Sequence, residues 1–119
     1  MVDAARRSGV PVITSLPGSA ERGSLLDLGA NYYDVGFVQG TLAADILEGR
    51  DPATIPIENW MPVELHLNLT ALEGLRRPWI IPDSLVRRAT KVVDASGVRE
   101  QDVPPATPPA SLVWMRGES

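Results

Sequence analysis

Residues 23–49 read GSLLDLGANYYDVGFVQGTLAADILEG, and this stretch decides the fold class. Its first part, Ser24 to Leu28, predicts a short β-strand. Asn31 then predicts the start of a helix that runs to about Glu48, because an asparagine side chain accepts a hydrogen bond from a free N–H of the first turn. Asp34, three positions later, supports that helix start. The stretch therefore predicts a strand that leads directly into a long helix.

The predicted helix carries small residues at a regular spacing. Gly36, Gly40 and Ala44 recur every four residues, which places them on one face. Glycine inside a helix costs roughly 1 kcal/mol relative to alanine, so we expect close packing against a sheet to offset that cost. Gln39 and Asp45 make the helix too polar to span a bilayer, and it is also too short.

The segments on either side add further elements. Residues 2–8 predict the end of a helix, and the β-branched run at 10–14 predicts a buried parallel strand. Residues 61–69 alternate apolar and polar side chains, as a half-exposed strand does, with His66 on the polar, exposed side. A last helix is expected to begin at Pro82. Its predicted apolar face consists of Leu85, Val86, Ala89, Val92 and Val93.

Strands that alternate with helices favour an α/β fold with a mainly parallel sheet flanked by helices. We expect this fold in residues 1–94. From residue 95 the composition changes, and Pro104, Pro105, Pro108 and Pro109 give the chain a proline-rich character. Residues 95–119 are therefore expected to form a disordered or polyproline-like tail.

Composition excludes several classes of function. The 119 residues suit at most one domain, and the net charge of −4 disfavours a nucleic-acid partner. With no cysteine, disulfides, thiolate chemistry and cysteine-ligated metals are excluded, and one histidine excludes a His-rich metal site. The sequence contains no phosphate-binding, zinc-protease or nucleophile-elbow motif, so we expect no cofactor and no metal. Residues 1–12 lack the features of a signal peptide.

Two loops are the candidate binding region. Residues 15–23 and the turn at 28–31 each follow a predicted strand, and ligands of open parallel sheets bind beyond the carboxyl ends of strands. The second turn also leads into a helix N-terminus, whose free N–H groups suit a polar acceptor. The alternative, that both are only connecting turns, remains open at this point.

Residues 23–49 also resemble a segment of ABC-transporter substrate-binding proteins. That segment has a Gly-Ala-Leu start, a short strand, a Tyr-Tyr pair, a glycine and a helix ending Ala-x-x-Ile-Leu-x-Gly. The resemblance begins at residue 10 and fades after about Asp94. It continues through Asp51-Pro52-Ala53, Ile55-Pro56-Ile57, Leu67-Asn68-Leu69 and Ile81-Pro82. The chain is thus similar to the tryptophan/tyrosine-type subgroup of the type 1 periplasmic-binding fold.

The resemblance implies a protein that binds a ligand and catalyses no reaction. It implies reversible capture of a small molecule, such as an amino acid or a related amine or carboxylate, in a cleft between two lobes. It further implies a periplasmic location and delivery of the ligand to ABC permease subunits, with no direct insertion of the chain into the membrane. The chain would then be a C-terminal fragment that holds part of the C-terminal lobe.

The resemblance also indicates ligand-binding residues. Ser15 corresponds to the family's loop that faces the cleft, and Asp27, Asn31 and Tyr32 correspond to the second cleft-facing turn. Tyr32 is expected to stack on the ligand and Asp27 to accept a hydrogen bond from its ammonium group. The sequence departs from the family at Asp27 and Leu28, where small or hydroxyl residues followed by an aromatic are common.

Two other classes of function remain open at this point. The same fold serves as the effector-sensing domain of transcription regulators and signalling proteins. An α/β enzyme that uses Asp27 and His66 is the third hypothesis, although their spacing matches no known catalytic pattern.

Overall fold

A computed structural model describes residues 1–57 and 61–104 of the chain. These residues fall into two compact units, of which the first comprises residues 1–30 and 63–104. The second comprises the described residues between 31 and 62. The first unit holds a five-stranded sheet, and the second holds the longest helix.

In the first unit, the strands lie side by side in the order of the chain. They are β1 (Ile13–Thr14), β2 (Leu26–Ala30), β3 (Val63–Asn68), β4 (Lys91–Asp94) and β5 (Gly97–Glu100). The helices of the described chain are α1 (Val2–Arg7), α2 (Tyr32–Leu47) and α3 (Asp83–Arg88), of which α2 belongs to the second unit. β1 with β2 and β3 with β4 pair in parallel, whereas β2 with β3 and β4 with β5 pair antiparallel. The predicted α/β class is confirmed, and the sheet is mixed.

The core of this unit lies on one face of the sheet. Leu67 of β3 and Val92 of β4 are fully buried and are register partners. Partly buried apolar side chains pack against them from β2, from the turn after β3 and from the region of α3: Leu26, Leu69, Ile81, Leu85 and Val86. Apolar residues at alternate positions of β3 thus supply the buried face that the sequence pattern predicts.

The last helix is shorter than the sequence predicts. α3 ends at Arg88, and Ala89 has extended backbone with φ −73° and ψ 133°. Val92 and Val93 lie in β4 and pair with β3, so the prediction that they belong to a helix face is wrong. β-branched side chains favour strands, and pairing with β3 outweighs the helical spacing.

The structure also differs from the expectation that a tail begins at residue 95. The side chain of Asp94 accepts hydrogen bonds from the backbone N–H of Ser96 at 2.8 Å and from its hydroxyl at 2.5 Å. These bonds close a turn, lower the pKa of Asp94, and return the chain as β5. Residues 105–119 lie outside the described residues, so the expectation of a disordered tail there stays a prediction.

The second unit is dominated by α2, and the predicted start of this helix is confirmed. The Asn31 side chain accepts a hydrogen bond from the N–H of Asp34 at 3.1 Å and donates to its carboxylate at 3.1 Å. The helix then runs for 16 residues, and none of them is buried. The N–H of Asn31 donates to the carbonyl of Pro62 at 2.8 Å, which brings the two ends of the unit together.

The small-residue stripe of α2 does not meet the close neighbour that the sequence predicts. A Cβ added at Gly36 or Gly40 would contact no atom within 4 Å among the described residues. No helix in the described part of the chain is both long enough and apolar enough to cross a membrane.

Candidate functional site

The candidate site is built on the loop at residues 15–23, here called the β1–β2 loop. Parallel neighbouring strands need a crossover, and a helix is the usual one because it satisfies its own backbone hydrogen bonds. Here the crossover contains only one short 3-10 turn, Ala20–Arg22. Its other backbone groups therefore need partners elsewhere in the molecule.

Asp27 of β2 supplies one set of partners. Its carboxylate accepts hydrogen bonds from the N–H of Ala20 at 2.5 Å, the Ser24 hydroxyl at 2.5 Å and the Thr14 hydroxyl at 2.7 Å. Asp27 is fully buried, as are Ala20 and Ser24. Burial of an unpaired carboxylate is strongly unfavourable, so these donors are what allow Asp27 to occupy the interior.

Asn68, at the end of β3, also binds this loop. Its side-chain amide donates to the carbonyl of Ala20 at 2.8 Å. Its side-chain oxygen accepts from the N–H of Thr70 at 2.9 Å and from the Thr70 hydroxyl at 2.6 Å. Ala20 is thus bound at its N–H by Asp27 and at its carbonyl by Asn68.

His66 binds the loop at a third position. The N–H of Gly18 donates to Nδ1 of His66 at 3.3 Å, and Nε2 lies 3.1 Å from a carboxylate oxygen of Glu64. In the neutral ring this arrangement assigns the proton to Nε2, since Nδ1 is the acceptor. Gly18 has a φ of 98°, which favours glycine and turns its N–H toward the ring. His66 is 6% exposed, so its predicted position on an exposed face is wrong.

Gly29 of β2 lets the loop lie close to the sheet. A Cβ at this position would overlap the carbonyl oxygen of Ser15 and would lie 2.5 Å from Cδ of Pro17. Ser15 therefore lies directly over the end of β2. It belongs to the same loop that Asp27 binds through the N–H of Ala20. Leu16, next to Ser15, is 59% exposed.

Asn31 and Tyr32 belong to the second unit. The Asn31 side chain is engaged with Asp34 as the helix cap. Tyr32, at the first position of α2, is 67% exposed, and its neighbour Tyr33 is 81% exposed. An exposed tyrosine offers a ring face for stacking and a hydroxyl for hydrogen bonding.

A second polar cluster lies around Lys91 of β4. Its ammonium is 2.7 Å from the Glu21 carboxylate and 3.8 Å from that of Glu100. The hydrogen bond that Lys91 donates to Glu21 raises the pKa of Lys91 and lowers the pKa of Glu21. A cavity of about 320 Å³ opens beside these groups. It is lined by Glu64, His66, Thr90, Lys91, Glu100 and Gln101.

The geometry assigns Asp27 a role that the sequence did not predict. Its carboxylate faces protein donors inside the molecule, whereas the predicted ammonium contact needs an accessible oxygen. No sequence pattern indicates a role for Asn68, and the alternation of residues 61–69 predicts an exposed His66. A usable indication was present in Glu64, His66 and Asn68, which alternate along β3 and share one face.

Comparison with known proteins relates this chain to a family. A model of the family described as ABC transporter substrate binding protein matches residues 1–93. A tyrosine-binding protein of Clostridioides difficile is 30% identical over 81 residues. That match covers 68% of this chain but only 24% of the relative, so the chain spans about a quarter of its length.

Two solved structures share the fold. A conserved domain protein from Vibrio cholerae is 32% identical with a TM-score of 0.59, over 76% of this chain and 30% of the other. An ABC domain in complex with L-Trp, from Streptococcus pneumoniae, is 23% identical with a TM-score of 0.58, over 77% and 31% of the two chains. The family match extends over most of the chain, from α1 into β4. The chain therefore belongs to the family of ABC transporter substrate-binding proteins.

Proposed function

We propose that this chain is part of a protein that captures a small molecule reversibly and delivers it to an ABC permease. The β1–β2 loop carries the proposal. β1 and β2 are parallel neighbours, so their carboxyl ends lie at the same edge of the sheet, and both candidate loops begin there. This edge is where open α/β sheets bind ligands.

The proposed ligand is an amino acid with an aromatic side chain, or a related amine or carboxylate. One relative is named a tyrosine-binding protein, and one structure with the same fold was solved with L-Trp. The chain spans 24% of that relative, so Ser15, Asp27, Asn31 and Tyr32 are proposed to contribute only one wall of the site. A periplasmic location and permease subunits as partners follow from the same proposal.

The four predicted site residues take different roles in this proposal. Ser15 and Tyr32 contact the ligand, the first by hydrogen bonding and the second by stacking. Asn31 acts through the helix start that it caps, which presents free N–H groups. Asp27 acts indirectly, because its carboxylate is buried and holds the loop that carries Ser15.

The proposed function involves binding and no catalysis. The hypothetical enzyme used Asp27 and His66, yet both side chains are buried and bonded to protein groups. The family match is to substrate-binding proteins, and no observation favours the effector-sensing alternative.

Titration of the ¹⁵N-labelled chain with L-tyrosine, followed by NMR, tests the proposal. We expect shift changes confined to the β1–β2 loop and residues 31–32, with an affinity on the order of millimolar because only one wall is present. L-Alanine should bind more weakly. The Tyr32→Ala variant should lose the response and Tyr33→Ala, its matched control, should keep it. Shifts that are absent for every amino acid, or equal in both variants, would contradict the proposal.

A further inference from the structure

One row of side chains crosses the whole sheet and is polar at every strand. The register places Thr14, Asp27, His66, Lys91 and Glu100 opposite one another from β1 to β5. Cross-strand partners share a face, so these side chains lie on the face opposite to the row that contains the buried Leu67 and Val92. The polar face receives the β1–β2 loop.

Two neighbours in this row each accept a hydrogen bond from the backbone of that loop. Asp27 accepts from Ala20, and His66 accepts from Gly18. The two side chains are direct partners in the antiparallel pairing of β2 and β3. Gly18 and His66 are 48 residues apart in the chain, so the second bond ties the loop to a strand that is remote in sequence.

Each of these side chains has to present an acceptor atom at a defined position. Asp27 receives its three donors with two oxygens, and His66 must keep Nδ1 unprotonated to receive Gly18. Glu64 holds the proton on Nε2, because its carboxylate lies 3.1 Å from that nitrogen. Glu64, two residues before His66 on β3, thus keeps Nδ1 of His66 as the acceptor for the Gly18 N–H.

We propose that Asp27 and His66 are positioning residues that together fix the backbone of the β1–β2 loop, with Glu64 setting the tautomer of His66. The expected effect on ligand binding rests on the proposed function. The effect on the loop backbone does not, because it can be measured without a ligand. A loop fixed in advance loses less conformational freedom when a ligand binds, so its affinity is higher. Ser15 contacts the ligand in this account, and the two acceptors keep it in place.

Paired substitutions at His66 provide the test. In His66→Asn the side-chain oxygen reaches the position of Nδ1, so the Gly18 bond is retained. In His66→Gln the amide reaches the position of Nε2 instead, so the Gly18 acceptor is removed. The two variants remove the same ring and differ in which nitrogen they imitate, so loss of packing affects both.

Amide hydrogen exchange of the whole 119-residue chain, read by NMR, gives the decisive measurement. We expect exchange at Gly18 to accelerate about three- to tenfold in His66→Gln and to stay near the unaltered rate in His66→Asn. Exchange at Val92 should be equal in both, which shows that the sheet is intact. Equal Gly18 exchange in the two variants overturns the proposal.

Asp27 is tested in the same way with Asp27→Asn and Asp27→Leu. The amide of asparagine keeps an oxygen for Ala20 and donates to hydroxyls that can rotate, so exchange at Ala20 should be nearly preserved. Leucine has a similar volume and no acceptor, so exchange at Ala20 should accelerate at least tenfold. Equal exchange at Ala20 in both folded variants overturns the role of Asp27.

L-Tyrosine binding separates the two proposals. If the unaltered chain binds L-tyrosine, His66→Gln should weaken binding more than His66→Asn, and equal weakening contradicts the positioning role in binding. If the unaltered chain shows no response to L-tyrosine, the proposed function fails. The exchange rates at Gly18 and Ala20 then still decide whether these residues hold the loop.

Discussion

The β1–β2 loop with β2 and the helix α2 follow each other in the chain, yet they are held in opposite ways. In the first region Ala20, Ser24 and Asp27 are fully buried and bonded to one another. In α2 no residue is buried, and Phe37 is 62% exposed. The loop is bonded to His66 and Asn68, which are distant in sequence, whereas the start of α2 is held by its own cap residue, Asn31.

Substitutions should have larger effects in the β1–β2 loop than in α2. Removing a group from the buried loop cluster leaves donors without acceptors, which is costly in the interior. Removing an exposed group from α2 changes mainly local helix energetics, which are small for each residue. The predicted changes in stability therefore differ in size between the two regions. For alanine at Gly29 and at Gly36 they differ in sign.

The largest effect is expected for Asp27→Ala. The substitution leaves the Ala20 N–H and two hydroxyls without their acceptor, so the free energy of unfolding should fall by about 3 kcal/mol. Urea denaturation measures this change. Gln39→Ala, on an exposed position of α2, is the control and should change stability by less than about 0.5 kcal/mol. Equal effects would remove the distinction between the two regions.

Alanine at two glycines should act in opposite directions. Gly29→Ala places a Cβ against the Ser15 carbonyl, so it should destabilise the chain by about 2 kcal/mol. Gly36→Ala meets no described atom within 4 Å and improves helix propensity, so it should stabilise α2 by up to about 1 kcal/mol. Thermal unfolding of the pair measures both signs. Destabilisation by Gly36→Ala would reveal a close neighbour of α2.

The N-cap of α2 should have an intermediate effect. Asn31→Ala removes the acceptor for the Asp34 N–H, and loss of such a cap costs about 1 kcal/mol. Circular dichroism at 222 nm should show reduced helix content. Asn31→Asp keeps an acceptor and should retain the helix. Equal helix content in both variants would show that the cap does not stabilise α2.

The smallest effect is expected for the exposed pair of Glu21 and Lys91. Their contact lowers the pKa of Glu21 below its ordinary 4.5 and raises that of Lys91 above its ordinary 10.5. The contribution from Glu21 is fully present above pH 4.5 and is lost as the pH falls through the lowered value. The contribution from Lys91 is present below pH 10.5 and is lost as the pH rises through the raised value.

Glu21→Gln isolates this pair. Its deficit in unfolding free energy should be small, roughly constant between pH 5 and 10, and should vanish in strong acid. High salt should reduce the deficit as well, because the pair is exposed. A deficit that persists when Glu21 is protonated would assign the effect to packing.

The parts of the fold that rest on local patterns could be predicted from the sequence. Asn31 and Asp34 define the start of α2, and the alternation along residues 61–69 predicts β3. Val92 and Val93 were misassigned because valines at helical spacing also suit a buried strand, and only pairing with β3 distinguishes the two. β5 was missed for the same reason, since its existence depends on β4.

The contacts of the β1–β2 loop could be predicted only in part, and the reason is also long-range. The loop was located correctly after β1, because strand ends can be read from local patterns. The partner of Gly18 could not be read, because His66 reaches it only through the pairing of β2 with β3. Burial of Asp27 likewise depends on Thr14 lying opposite in β1.

Amide hydrogen exchange of the unaltered chain measures the difference between the β1–β2 loop and α2. The hydrogen bonds of Ala20 with Asp27 and Asn68 should hold the β1–β2 loop as firmly as the sheet, although the loop has little secondary structure. We expect the Ala20 amide to exchange as slowly as amides of β3, and much more slowly than those in the middle of α2. An Ala20 amide that exchanges as fast as the middle of α2 would contradict this expectation.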